Sequence, residues 1–168
     1  MESRKLAFQS QLHMTLCHGK KLIVIAHNIR SLYNIGSIFR TSDAVGVEKI
    51  FLTGFSGTPD NPKVAKVALG AEKTVPWEKH SRIGNLLKGL KKDGYQIVAL
   101  EQDVKSVAYN SFRPRFPIAF IVGNEISGIS RAVLKKADAI IEIPQKGTKE
   151  SLNVSVAFGI AVYSLLRS

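Results

Sequence analysis

Three short segments concentrate the side chains that could do chemistry. In NIGSIFRTSDAVG (34–46), Arg40 follows Asn34 by six residues, on a stretch whose apolar spacing predicts a helix over 37–46. Asn34 is placed to cap that helix, and Gly36 allows backbone to approach closely. Arg40 and the nearby Arg30 suit a phosphate, because a planar guanidinium offers paired donors. In IVGNEISGIS (121–130), Gly123 and Glu125 directly follow an apolar run, so an acid stands where the chain leaves the core. In IPQKGTKESLNVSVA (143–157), Ser151 occupies a helix-cap position and Asn153 and Ser155 follow in the first turn. Free amides at a helix start can bind the polar edge of a ligand. Each segment also has a plainer explanation: a capped helix with a solvent-facing arginine, a glycine turn with a surface glutamate, and a Ser-capped helix whose Asn bonds local backbone.

Short apolar runs alternate with helical patterns, which predicts a parallel sheet covered by helices on both faces, an α/β fold. The runs are LIVIAH (22–27), KIFLTG (49–54), YQIVAL (95–100), IAFIVG (118–123) and AIIEIP (139–144), with TVPWEK (74–79) as a proline-containing edge strand. Helices are expected over 62–73, 82–94, 130–138 and 152–166. In open α/β sheets ligands bind beyond the carboxyl ends of the strands, and all three polar segments follow such ends. Distant residues are therefore expected to converge along one rim. Neither a Walker loop nor a GxGxxG fingerprint is present.

The composition narrows the partners. The 168 residues carry 24 basic and 13 acidic side chains, a net charge of +11. The basic residues divide equally between the two halves, so the charge belongs to the folded body and favours a polyanionic partner. The single cysteine, Cys17, excludes an internal disulfide framework and fits a reducing compartment. His13, Cys17 and His18 match no structural zinc spacing, and no metal is expected. The N-terminus lacks the apolar core of a signal peptide, and residues 152–166 are too short to span a bilayer, so a cytoplasmic protein with no membrane partner is expected. Without a repeat or linker, residues 1–168 read as one domain, with 1–20 as a short basic extension.

Taken together, NIRSLYNIGSIFRTSDAVGV, IAFIVGNEISGIS and IEIPQKGTKESLNVSVAFGIAV closely resemble the SpoU/TrmH branch of the SPOUT methyltransferase superfamily, and TPDNPKVAKVALGAEKTVPWE is similar to it as well. The resemblance covers roughly residues 22–166. It implies a SPOUT-type parallel α/β fold with a C-terminal trefoil knot, the knot and cofactor region covering about 95–168. It implies S-adenosylmethionine as cofactor, a ribose 2′-hydroxyl in tRNA or rRNA as methyl acceptor, and a homodimer. By the same likeness, Gly123, Ile143, Ser151 and Leu152 face the cofactor, joined by Leu100 and Glu101. Arg40 matches the catalytic arginine, with Asn34, Glu125 and Asn153 at active-site positions, and Arg30, Lys63 and Lys66 are expected RNA contacts.

The implied transfer needs negative charge stabilised on the 2′-oxygen. Making Arg40 the base would cost roughly 7 kcal/mol at pH 7, because a guanidinium holds its proton far above neutral pH. The expected role is instead to grip the neighbouring phosphate and stabilise developing charge, with Asn34, Glu125 and Asn153 orienting it. The alternatives are a base methyltransferase of the same fold and an RNA-binding relative without catalysis. With about 20 residues before the first predicted strand, no separate N-terminal RNA-binding domain is expected.

Overall fold

Parallel pairing in this chain is a consequence of its apolar runs: strands buried on both faces must be covered by helices on both sides. The computed structural model describes residues 20–167. The seven strands among these residues are β1 (Leu22–His27), β2 (Lys49–Thr53), β3 (Trp77–His80), β4 (Gln96–Leu100), β5 (Val107–Ala108), β6 (Ile118–Val122) and β7 (Ala139–Glu142). They form one sheet in the order β3-β2-β1-β6-β4-β7-β5, with every adjacent pair parallel.

Among the described residues six helices cover it: α1 (Leu32–Ala44), α2 (Pro62–Ala68), α3 (Ala71–Thr74), α4 (Ile83–Lys92), α5 (Arg131–Leu134) and α6 (Val154–Arg167). Alternate strand residues separate into two cores. Val24, Leu52, Val98 and Phe120 pack on one face with Phe39 of α1 and Phe158 of α6. Ile25, Phe51, Ile97 and Ile121 pack on the other with Leu87 of α4 and Val133 of α5. Phe120 and Phe158 stack with centroids 6.1 Å apart, which fixes α6 over the middle of the sheet. The expected doubly covered parallel α/β architecture is thus the one observed.

Local departures from the expected boundaries have identifiable causes. α1 starts at Leu32 rather than residue 37, because the Ser31 hydroxyl caps it by accepting the Asn34 N–H at 3.3 Å. Asn34 therefore lies inside the helix and is not its cap. The helix expected over 62–73 breaks in two where Leu69 (φ 53°) and Gly70 (φ 97°) both turn left-handed. The helix expected over 130–138 contracts to α5. TVPWEK does supply an edge strand, but it begins at Trp77, past the proline. Two-residue β5, on the opposite edge, was too short to predict. Gly36 does permit a close approach: a Cβ there would sit 2.7 Å from the Val64 carbonyl of α2.

No described helix is long and apolar enough to cross a membrane. Among the described residues no cluster of three His, Cys, Asp or Glu side chains could hold a metal ion. His13, Cys17 and His18 lie outside the described residues, as does nearly all of the 1–20 extension.

Candidate active site

The carboxyl ends of β1, β4, β6 and β7 lie along one edge of the sheet, and there the three polar segments meet. Glu125, two residues beyond Gly123 at the end of β6, reaches across to the chain leaving β1. Its Oε2 accepts the Arg30 N–H at 3.0 Å; its Oε1 accepts the Ser31 N–H at 3.0 Å and Asn34 Nδ2 at 2.9 Å. Partial burial would raise the Glu125 pKa, but the donations from Arg30, Asn34 and Ser31 outweigh it and hold the carboxyl below its ordinary value. Two of those donors are amides at the start of α1, whose dipole also favours the anion.

Asn34 passes the network on. It is 8% exposed, and its Oδ1 accepts Asn153 Nδ2 at 3.1 Å. Asn153 caps α6 with its other end: Oδ1 accepts Ser155 N at 2.9 Å, Val156 N at 3.4 Å and the Ser155 hydroxyl at 2.7 Å. Ser151, placed as the cap from sequence, is instead exposed in the preceding loop. Ser155 spends its hydroxyl on the capping residue. One chain of hydrogen bonds thus joins β6, α1 and α6.

Asn124, between the two residues singled out in its segment, is the participant that sequence did not reveal. Its Nδ2 donates to the Asn28 carbonyl at 2.8 Å, while Oδ1 accepts Ile126 N and Ser127 N, each at 2.9 Å. The only signal was its place between a glycine and a glutamate after a buried strand.

Beside this network opens a cavity of about 200 Å³. Leu100, Glu101, Gly123, Ile143, Ser151 and Leu152 all line it, together with Val122, Glu125 and Glu142. Glu101 also builds the wall, its Oε2 accepting Ile129 N at 2.7 Å and its Oε1 accepting Gln102 N at 3.0 Å. Gly123 is needed for internal packing: a Cβ there would lie 2.8 Å from the Gly128 carbonyl carbon and 2.9 Å from Ile129 N. Gln102 Nε2 donates to the Glu150 carbonyl at 2.7 Å, tying the loop after β4 to the one before α6. The donor set fits S-adenosylmethionine: aliphatic walls for a flat ring and three carboxylates for a sulfonium cation.

The cationic residues lie elsewhere. Arg40 is exposed on α1, roughly 120° around the helix from Asn34 and one turn beyond Gly36, on the side that α2 crosses. It does not line the cavity, and it has no hydrogen-bond or ion-pair partner among the described residues. Lys63 and Lys66 are exposed on α2. Arg30 is exposed beside Glu125, bonding it through backbone only.

Comparison with known proteins identifies the scaffold. The model of the SpoU rRNA Methylase family matches residues 21–163. The chain belongs to that family. It is 37% identical to the tRNA (guanosine(18)-2′-O)-methyltransferase of Aquifex aeolicus, over 88% of this chain and 70% of that one. It is 30% identical to the 23S rRNA (guanosine-2′-O-)-methyltransferase RlmB of Ralstonia nicotianae, over 89% of this chain and 60% of that one. The crystal structure of an AdoMet-bound rRNA methyltransferase from Sinorhizobium meliloti superposes with a TM-score of 0.83 at 28% identity, over 88% of this chain and 56% of that one. The chain spans 58% and 59% of the length of two staphylococcal TrmH family proteins.

Proposed function

We propose that this chain is an S-adenosylmethionine-dependent methyltransferase that modifies a ribose 2′-hydroxyl in tRNA or rRNA. The carrying observation is that the cavity lined by Leu100, Gly123, Ile143 and Leu152 is also lined by Glu125, which is hydrogen-bonded to Asn34 and through it to Asn153. A cofactor site and an arrangement of polar groups able to orient a sugar hydroxyl thus share one wall. Bound there, S-adenosylmethionine would supply an electrophilic methyl group on a positively charged sulfur.

The chain's own residues supply the rest. Leu100, Ile143 and Leu152 give the cavity an apolar wall against which the cofactor would pack. Glu125 stays ionised at neutral pH and, through three donors, fixes the loop after β1 and the first turn of α1. Asn34 and Asn153 hold the start of α6 against that turn. Arg40 grips the phosphate next to the reacting ribose and stabilises charge developing on its oxygen. Lys63 and Lys66 extend the cationic track along α2, and Arg30 contacts backbone phosphate nearer the cavity.

The working unit in this reading is a homodimer. Val156, Ile160 and Tyr163 are 50%, 38% and 53% exposed on one face of α6, with Gly159 between them facing open space. An apolar helical stripe with a central glycine suits close packing against a second copy. Such a partner would carry its own Arg40 toward a neighbouring site, which accounts for Arg40 lying outside the cavity wall. The reading also takes residues 1–168 as one SPOUT domain in the cytoplasm, with the C-terminal segment knotted. Transfer of labelled methyl groups from S-adenosylmethionine into unmodified tRNA and rRNA tests the proposal: incorporation is expected, and its absence from both substrates overturns it.

A further inference from the structure

A second concavity, about 640 Å³ and open to solvent, adjoins the cavity along the same sheet edge. Asn124 and Ile126 belong to the walls of both. The outer one is completed by Arg30, Phe55 and Ser127. Phe55 and Ile126 are 60% and 81% exposed, an unusual investment of apolar surface beside a cation.

The turn presenting Phe55 is firmly built. Asn28, after β1, has φ 57°, and Gly54, after β2, has φ 62°. A non-glycine residue persists in that conformation only where its surroundings enforce it. Here the Phe55 N–H donates to Asn28 Oδ1 at 3.2 Å, and a Cβ on Gly54 would collide with that same oxygen. With Oδ1 so engaged, Asn28 Nδ2 is the donor to His27 Nε2 at 3.2 Å. The proton of buried His27 is then on Nδ1, which donates to Thr53 Oγ1 at 2.8 Å. Ser56 completes the brace, accepting Ile29 N at 2.9 Å and donating to the Ala26 carbonyl at 2.8 Å. The aromatic ring is thus exposed on a rigid mount.

We propose that Phe55, Arg30 and Ile126 form a nucleobase subsite, in which an unpaired base of the RNA stacks on Phe55 while Arg30 contacts its phosphate. The inference rests on RNA being the substrate, as read above. Single-stranded RNA is recognised by such stacking on aromatic rings beside cations. A second copy of this chain is assigned above to the apolar stripe of α6, and Arg30 within this wall favours a polyanion as the occupant here. The shared wall at Asn124 and Ile126 puts the stacked base next to the ribose presented at the cavity mouth.

The test compares Phe55→Ala, Phe55→Leu and Phe55→Trp for binding to end-labelled bulk tRNA and to bulk rRNA fragments across a salt series. Sedimentation and cofactor binding are measured alongside. Ala and Leu are expected to weaken RNA binding about tenfold, with Trp within about threefold of the starting protein. Because stacking releases no counterions, the salt slope stays unchanged in these variants, whereas Arg30→Gln lowers it by about one. Phe55→Leu binding within about twofold of the starting protein overturns the subsite, since stacking needs an aromatic ring. A change in sedimentation with RNA affinity retained also overturns it, assigning Phe55 to a contact between copies. If the starting protein binds RNA but transfers no methyl group, the catalytic reading fails while the Phe55 series still decides the subsite. If it transfers methyl groups and Phe55→Leu binds normally, only the subsite fails. Absence of RNA binding by the starting protein overturns both.

Discussion

Asn153 Nδ2 donates to Asn34 Oδ1 across 3.1 Å, linking residues 119 positions apart in the chain. The same Asn153 caps α6 through its other atom, so helix initiation and site assembly depend on one side chain. Asp at this position retains the capping oxygen but cannot donate to Asn34. Asn153→Ala is expected to cost about 1 kcal/mol of stability, lowering Tm by about 2–4 °C. Asn153→Asp is expected to melt close to the starting protein yet lose most methyl transfer. Thermal unfolding together with turnover checks this; full activity in the Asp variant would remove the link from the site.

Glu125 gives the site a pH dependence of definite sign. Its folded pKa is depressed, so its stabilising contribution is fully present above the ordinary carboxylate value of about 4.3. The contribution is lost as pH falls from there through the depressed value, when the protonated acid releases the Arg30, Ser31 and Asn34 donors. Tm measured from pH 6 down to about pH 3 is expected to fall less steeply in Glu125→Gln than in the starting protein. Parallel profiles would show that these bonds do not distinguish the ionised acid.

Gly123 tolerates no side chain because the returning Gly128–Ile129 backbone occupies that space. Gly123→Ala is expected to destabilise by about 1–3 kcal/mol and to weaken S-adenosylmethionine binding, since the displaced loop forms one cavity wall. Calorimetric titration with the cofactor measures the second effect. Unchanged affinity would mean that the cofactor lies elsewhere.

Arg40 lies outside the cavity wall, so its loss should separate chemistry from cofactor binding. Arg40→Ala is expected to abolish methyl transfer with cofactor affinity nearly intact. Arg40→Lys should recover little, because an ammonium lacks the planar paired donors. Turnover of the Ala variant at the starting rate would remove Arg40 from the reaction.

Much of the scaffold was legible because buried parallel strands leave long apolar runs: LIVIAH became β1 without adjustment, and four other runs matched to within two residues. The order of the strands was not legible. β6 lies between β1 and β4 through pairings set by tertiary packing rather than by any local pattern. At the site, polar residue types and segment order pointed to Asn34, Glu125 and Asn153, but not to their connections. Capping shows why: Ser31 and Asn153 take the roles assigned to Asn34 and Ser151, because capping favours several polar types and geometry chooses among them. Asn124 escaped notice for a related reason, since a carboxamide latching a backbone carbonyl 96 residues away leaves no periodic trace.

The central claim is methylation of a ribose oxygen, and the modified nucleotide itself tests it most directly. Unmodified tRNA and rRNA are incubated with the protein and labelled S-adenosylmethionine, then hydrolysed in alkali, which cuts only beside a free 2′-hydroxyl. The account predicts label in an alkali-resistant dinucleotide that yields a 2′-O-methylnucleoside on enzymatic digestion. Label recovered in mononucleotides bearing a methylated base would contradict it.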